Sequence, residues 1–106
     1  MEINELVKQM HETSKEKGWY DKPRSALEIH ALIHSEVAEA TEEVRKGNPA
    51  SYIKDGKPEG ELIELADAVI RIFDWCGFNN WDLEEALRIK MEYNRTRPYR
   101  HGNKKF

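Results

Sequence analysis

Residues 62–73 read Leu-Ile-Glu-Leu-Ala-Asp-Ala-Val-Ile-Arg-Ile-Phe, a run that is apolar around most of a helical circumference yet carries two acids. A helix greasy on nearly every side is central to its assembly, since a surface helix keeps one polar face. Acids are almost never fully buried unless paired, because taking an ion out of water costs several kcal/mol. Glu64 and Asp67 therefore either face water from an amphipathic helix or share a compensating charge.

Around this run the sequence predicts three more helices. Ile3, Leu6, Val7 and Met10 have helical spacing and predict a first helix over about 3–17, stopped by Gly18, with a loop to Pro23. Ser25-Ala26-Leu27-Glu28 fits a capping box and opens a second helix that runs to Gly47, a C′ candidate. Residues 47–60 hold Gly47, Pro49, Gly56, Pro58 and Gly60 and predict a loop. The third helix is expected over about 59–76, ended by Gly77. Asp82, with Glu85 three residues on, caps a fourth that ends before Pro98. No alternating strand pattern is visible. The expected class is all-α, four-helix bundle-like, as one domain over 1–106.

The second helix carries Glu36 and Glu39, and the third carries Glu64 and Asp67. Spacing i, i+3 sets each pair on one helix face, with Cβ atoms about 5–6 Å apart. Two such faces turned together make a four-carboxylate cage. Oxygen ligands without histidine or thiolate suit Mg²⁺, a hard cation that completes its shell with waters and phosphates, better than Zn²⁺. The competing reading is a set of solvated acids, as expected of Glu42 and Glu43 nearby.

Other chemistries fall away. No histidine follows a glutamate by three residues, so a di-iron Glu-x-x-His bundle is excluded. No Gly-rich phosphate loop is present, which excludes a P-loop mechanism. His30 and His34 stand at i, i+4 without an HExxH frame and read as ordinary helix histidines. Trp75 and Trp81 read as core or interface, and Cys76 as a small buried hydrophobe. Trp19, in the loop after Gly18, either stacks on a base or covers the bundle end.

The spacing Glu36-x-x-Glu39, then 24 residues, then Glu64-x-x-Asp67 resembles the ExxE…ExxD signature of the MazG-like all-α nucleotide pyrophosphohydrolases. Lys57-Pro58-Glu59-Gly60 and the segment Lys90-Met91-Glu92-Tyr93-Asn94-Arg95-Thr96-Arg97-Pro98-Tyr99 are also similar to short members of that group. The resemblance implies a Mg²⁺-dependent enzyme that cleaves an NTP or dNTP between the α- and β-phosphates, giving monophosphate and pyrophosphate, and clears nucleotides from the pool. It implies that Glu36, Glu39, Glu64 and Asp67 are the metal ligands and catalytic residues, with Glu39 a candidate base. It implies phosphate and sugar contacts from Lys90, Asn94 and Arg97, base contacts from His11 and Trp19, and a homodimer or homotetramer. The position four after Asp67 is Arg71, where related dCTP enzymes have tyrosine.

Charge bears on the competing function, a non-enzymatic helical module that binds nucleotide or nucleic acid. The net charge is −3. Five of the 17 basic residues (Arg95, Arg97, Arg100, Lys104, Lys105) fall in a tail over about 95–106 that has no acid, leaving 12 bases against 20 acids in the body. An acidic body repels a phosphate backbone, and the tail interleaves only Tyr99 and Phe106, so nucleic acid is not the expected partner. No window approaches the roughly 18 apolar residues of a membrane span. The absence of a signal pattern and the single cysteine give the cytoplasm as the expected compartment.

Overall fold

The computed structural model describes residues 2–98. Four helices, α1 (Ile3–Glu16), α2 (Ala26–Arg45), α3 (Glu61–Phe78) and α4 (Leu83–Thr96), are joined by loops and by one small hairpin of β1 (Tyr52–Lys54) and β2 (Lys57–Glu59). The fold is mostly helical, as the periodicity predicts. α3 is its centre: α2 packs along one side of it and α1 along another, while α4 lies against α1. Residues 99–106, which hold most of the basic tail and Tyr99 of the Lys90–Tyr99 segment, lie outside the described residues.

Local chemistry explains most boundaries. The Ser25 side chain accepts the Glu28 N–H at 3.1 Å, and Asp82 accepts that of Glu85 at 3.0 Å, so both predicted N-caps form. Gly18 and Gly47, at φ 85° and 72°, take the left-handed position just past α1 and α2. Each is flanked by the crossed carbonyl bonds of a Schellman ending.

Two expectations fail. The segment 47–60 is not loop throughout. Asp55 and Gly56, at φ 52° and 78°, make a tight two-residue turn that pairs Tyr52 with Glu59 and Lys54 with Lys57. Positive φ at both central residues gives the turn the twist of the flanking strands, and Asp-Gly is a standard signal for it. Gly77 does not end α3 either. The helix runs through it to Phe78, and Asn80, at φ 57°, takes the left-handed position beyond it. A Cβ on Gly77 would lie 2.6 Å from the His11 Cβ and 3.2 Å from the Val7 carbonyl oxygen. The glycine is there to let α1 cross α3 closely.

Val7, Ile29, Ala40, Ala68, Trp75 and Cys76 form the core, in keeping with the packing roles expected of Trp75 and Cys76. The core is thin. Among the described residues no large side chain is less than 2% exposed, and Leu62, Val69 and Ile70 of α3 remain 58%, 43% and 43% exposed.

Candidate metal centre

The α2–α3 contact turns acidic faces of the two helices toward each other. Carboxylate oxygens of Glu36, Glu64 and Asp67 all lie within 4.8 Å of one another. Glu36 is buried and the other two are half-buried. Glu39, one turn along α2, is exposed but lies close enough to Glu64 to hydrogen-bond a shared proton. The four acids are thus neighbours, with three converging and Glu39 on the solvent side.

The electrostatics follow from that crowding. Burial first, then hydrogen bonding and repulsion from Glu39, then the charge of Asp67, push the Glu64 carboxyl from 4.5 to about 7. Burial and the charge of Glu36 likewise raise Asp67, against the pull of Arg71 and Lys57. Two neighbouring acids both pushed above their ordinary values mark a place where negative charge is under-compensated. A cation would relieve it, and three converging oxygens are the donor set a hard divalent ion takes.

One cation of the chain already reaches the cluster. Arg71 Nε donates to Glu36 Oε1 at 2.9 Å, and the guanidinium carbon lies 4.8 Å from the centre of the Trp19 ring. Arg24 adds a second guanidinium 5.0 Å from the same indole. Ser14, Trp19, Glu36, Asp67, Ile70, Arg71 and Asp74 line a cavity of about 230 Å³ that opens beside the acids.

The remaining predicted residues fall in different places. Trp19 lines this cavity, 37% exposed, and packs against the guanidinium groups of Arg24 and Arg71. His11 stands one residue back. Its Nδ1 pairs with Asp74 Oδ1 at 2.9 Å, and its ring packs edge-on against Tyr20 and Phe78. Lys90, Asn94 and Arg97 are not brought to the acids within one chain. Lys90 and Arg97 lie over the Tyr93 ring, at 5.0 and 5.5 Å, and Asn94 borders a separate groove with Ile3 and Met91.

Glu43 corrects an expectation. It is not simply solvated: half-buried, it accepts the Tyr52 hydroxyl at 2.9 Å, and its oxygens lie with those of Glu59 and Glu64 in a second acidic group. The Asn48 amide, more than any other neighbour, holds its carboxyl below the usual range. Of the cavity wall, Arg71 enters the motif-based reading only as the departure four residues after Asp67, and Asp74 not at all. Glu64, Asp67, Arg71 and Asp74 are spaced three, four and three apart, so they extend one polar stripe along α3.

No protein-family model, curated protein or solved structure matches the chain.

Proposed function

We propose that this chain is a Mg²⁺-dependent nucleoside triphosphate pyrophosphohydrolase that works in the cytoplasm as a homo-oligomer. What carries the proposal is the convergence of Glu36, Glu64 and Asp67 within 4.8 Å from two helices, beside a cavity that holds an indole and a guanidinium. The ExxE…ExxD resemblance supports it independently of that geometry.

Glu36, Glu64 and Asp67 would hold the ion, with Glu39 at their solvent edge. The bound ion supplies neutralisation of the substrate's phosphates and a more acidic water, the two things a cluster of carboxylates cannot offer a polyanion alone. Water oxygen attacks the α-phosphorus, the bond from that phosphorus to the bridging oxygen breaks, and pyrophosphate leaves. Glu39 accepts the proton that the water gives up. It suits that task because it is the exposed member of the four.

Charge developing between the α- and β-phosphates calls for donors, which Lys90, Asn94 and Arg97 would supply. Because α4 packs on α1 and its three polar residues lie away from the acids, we assign them to the site of a second copy. The shape of the chain supports an assembly. Its radius of gyration is 16.4 Å, against about 13 Å for a compact domain of 100 residues. Its accessible surface is 8253 Å², against about 6,200 Å² for a monomer of this mass. The excess, about 2,000 Å² for one chain, is above the roughly 800 Å² that each partner buries in a standard interface and is on the scale of a large obligate one.

The test is a panel of canonical, deoxy and modified nucleotides incubated with Mg²⁺ and with EDTA. Pyrophosphate that forms with Mg²⁺ and vanishes with EDTA is the expected result. Orthophosphate as the first product would mean γ-phosphate hydrolysis and would overturn the assignment.

A further inference from the structure

Arg71 and Asp74 stand three apart on α3 and both face the cavity beside the acids. Each is held in place by a neighbour that leaves its outer edge available. Arg71 spends Nε on Glu36 at 2.9 Å, and its plane rests over the Trp19 indole; among the described residues its two Nη groups make no hydrogen bond. Asp74 is fixed through Oδ1 by His11 Nδ1 at 2.9 Å and has the Tyr20 hydroxyl close by; a carboxylate has about four lone-pair sites, so it keeps acceptor capacity toward the cavity. The cavity thus presents a donor fork next to a carboxylate acceptor, flanked by the flat Trp19 and the apolar Ile70. At about 230 Å³ it is smaller than the roughly 300–1,000 Å³ of a whole-ligand pocket, so it admits part of a nucleotide. An aromatic and an aliphatic flank suit a planar base better than a phosphate.

Building on the nucleotide reading above, we infer that Arg71 and Asp74 are base-reading residues that select keto bases over amino bases. Guanine and hypoxanthine present a carbonyl acceptor beside an N–H donor, and so do uracil and thymine. That order complements a donor from Arg71 beside an acceptor from Asp74. Adenine and cytosine present the reverse, an amino donor beside a ring-nitrogen lone pair. They would set donor against donor and lone pair against carboxylate. A site with paired polar groups rejects a mismatched analogue because its own groups are left unsatisfied. Arginine is well suited to such a task, since its fork is rigid and cannot lose its charge.

Two matched pairs isolate this edge with little other change: dITP against dATP, and dUTP against dCTP. Turnover is measured by pyrophosphate release. Equilibrium binding is measured by titrating dIMP and dAMP into the protein with Mg²⁺. The keto member should win by about tenfold or more in each pair, the discrimination of one good bidentate contact. In Arg71→Met and in Asp74→Asn the ratio should fall toward one. A ratio cancels general damage to either variant, and two variants guard against one failing to fold. Wild-type ratios near one overturn the inference, as do ratios that survive both substitutions. If no nucleotide is turned over but dIMP still outbinds dAMP in a manner dependent on Arg71 and Asp74, the base reading stands and hydrolysis does not. Turnover without keto preference overturns the base reading and leaves hydrolysis standing.

Discussion

Arg71 Nε meets Glu36 Oε1 at 2.9 Å, so the most buried acid of the cluster is neutralised by a side chain of the helix that also carries Glu64 and Asp67. The Glu36 side chain is 10% exposed and that of Arg71 23%, a degree of burial at which the pair matters more than a surface ion pair does. Breaking a buried pair is costly mainly because the survivor stays desolvated and unmatched.

Arg71→Ala should therefore destabilise the metal-free protein by about 1–3 kcal/mol, the penalty for stranding a buried charged group. Mg²⁺ should restore a larger share of the loss in the variant than it adds to the wild type. Thermal melts of both proteins in EDTA and in Mg²⁺ decide it. A variant that melts like wild type in EDTA would show that Glu36 relies on something else.

Glu64 gives a pH dependence with a defined sign. Its carboxyl rises from 4.5 to about 7 on folding, mainly through burial. Between those values the folded protein holds a proton that the unfolded chain has released. Metal-free stability therefore falls as pH rises through that window, the reverse of the usual behaviour of an ion-paired acid. The change is on the order of 1 kcal/mol after allowance for the solvent-facing side of the carboxyl. Mg²⁺ must displace the same proton, so its affinity should drop by up to about tenfold per pH unit below about pH 7. Calorimetric titrations at several pH values would reveal the proton release, and a flat affinity would contradict it.

The four helices and both N-caps were legible in the sequence because they rest on local signals: Ser25 and Asp82 bond to residues three away. The hairpin was legible in principle. Asp55-Gly56 announces it, but the flanking strands are three residues each, too short for a period of two to show. Gly77 was not legible. Whether a glycine ends a helix or lets a neighbour approach depends on His11, 66 positions away in sequence. The acidic pairs could be read because i, i+3 spacing fixes a face. Glu43 was missed because its partners, Tyr52 and Glu59, belong to that hairpin.

Gly77→Ala sets two effects against each other. Alanine gains about 0.5–1 kcal/mol in helix propensity over glycine. Its Cβ would sit 2.6 Å from the His11 Cβ, with the Val7 carbonyl oxygen 3.2 Å away, so α1 must move. Overpacking of that kind costs about 1–3 kcal/mol, and the clash should win. Denaturant titration should give a net loss of stability. A gain would mean that the α1–α3 crossing relaxes freely.

Removing charge from the cluster should separate stability from chemistry. Glu64→Gln eliminates a carboxyl that the fold already resists ionising, so the metal-free protein at neutral pH should be as stable as wild type or slightly more so. Asp67→Asn should behave similarly. Both should lose at least about 100-fold in pyrophosphate release with helical circular dichroism unchanged. Retained turnover in either variant would remove that residue from the site.

The assignment of α4 to a neighbouring copy makes the strongest demand. Leu62, Leu65 and Val69 of α3 are each 39% exposed or more, too much apolar surface on a central helix for an isolated chain. Sedimentation should give a dimer or tetramer, and Val69→Glu should shift it toward monomer and abolish turnover together. Mixing supplies the sharper test. Glu64→Gln and Lys90→Ala homo-oligomers should each be nearly inactive. If one site takes Glu64 from one chain and Lys90 from another, a heterodimer carries one intact site and one doubly damaged site. Random exchange makes half the dimers mixed, so activity should recover to about a quarter of wild type. If both residues belonged to the same chain, every site would carry one lesion whatever the mixture, and nothing would be regained.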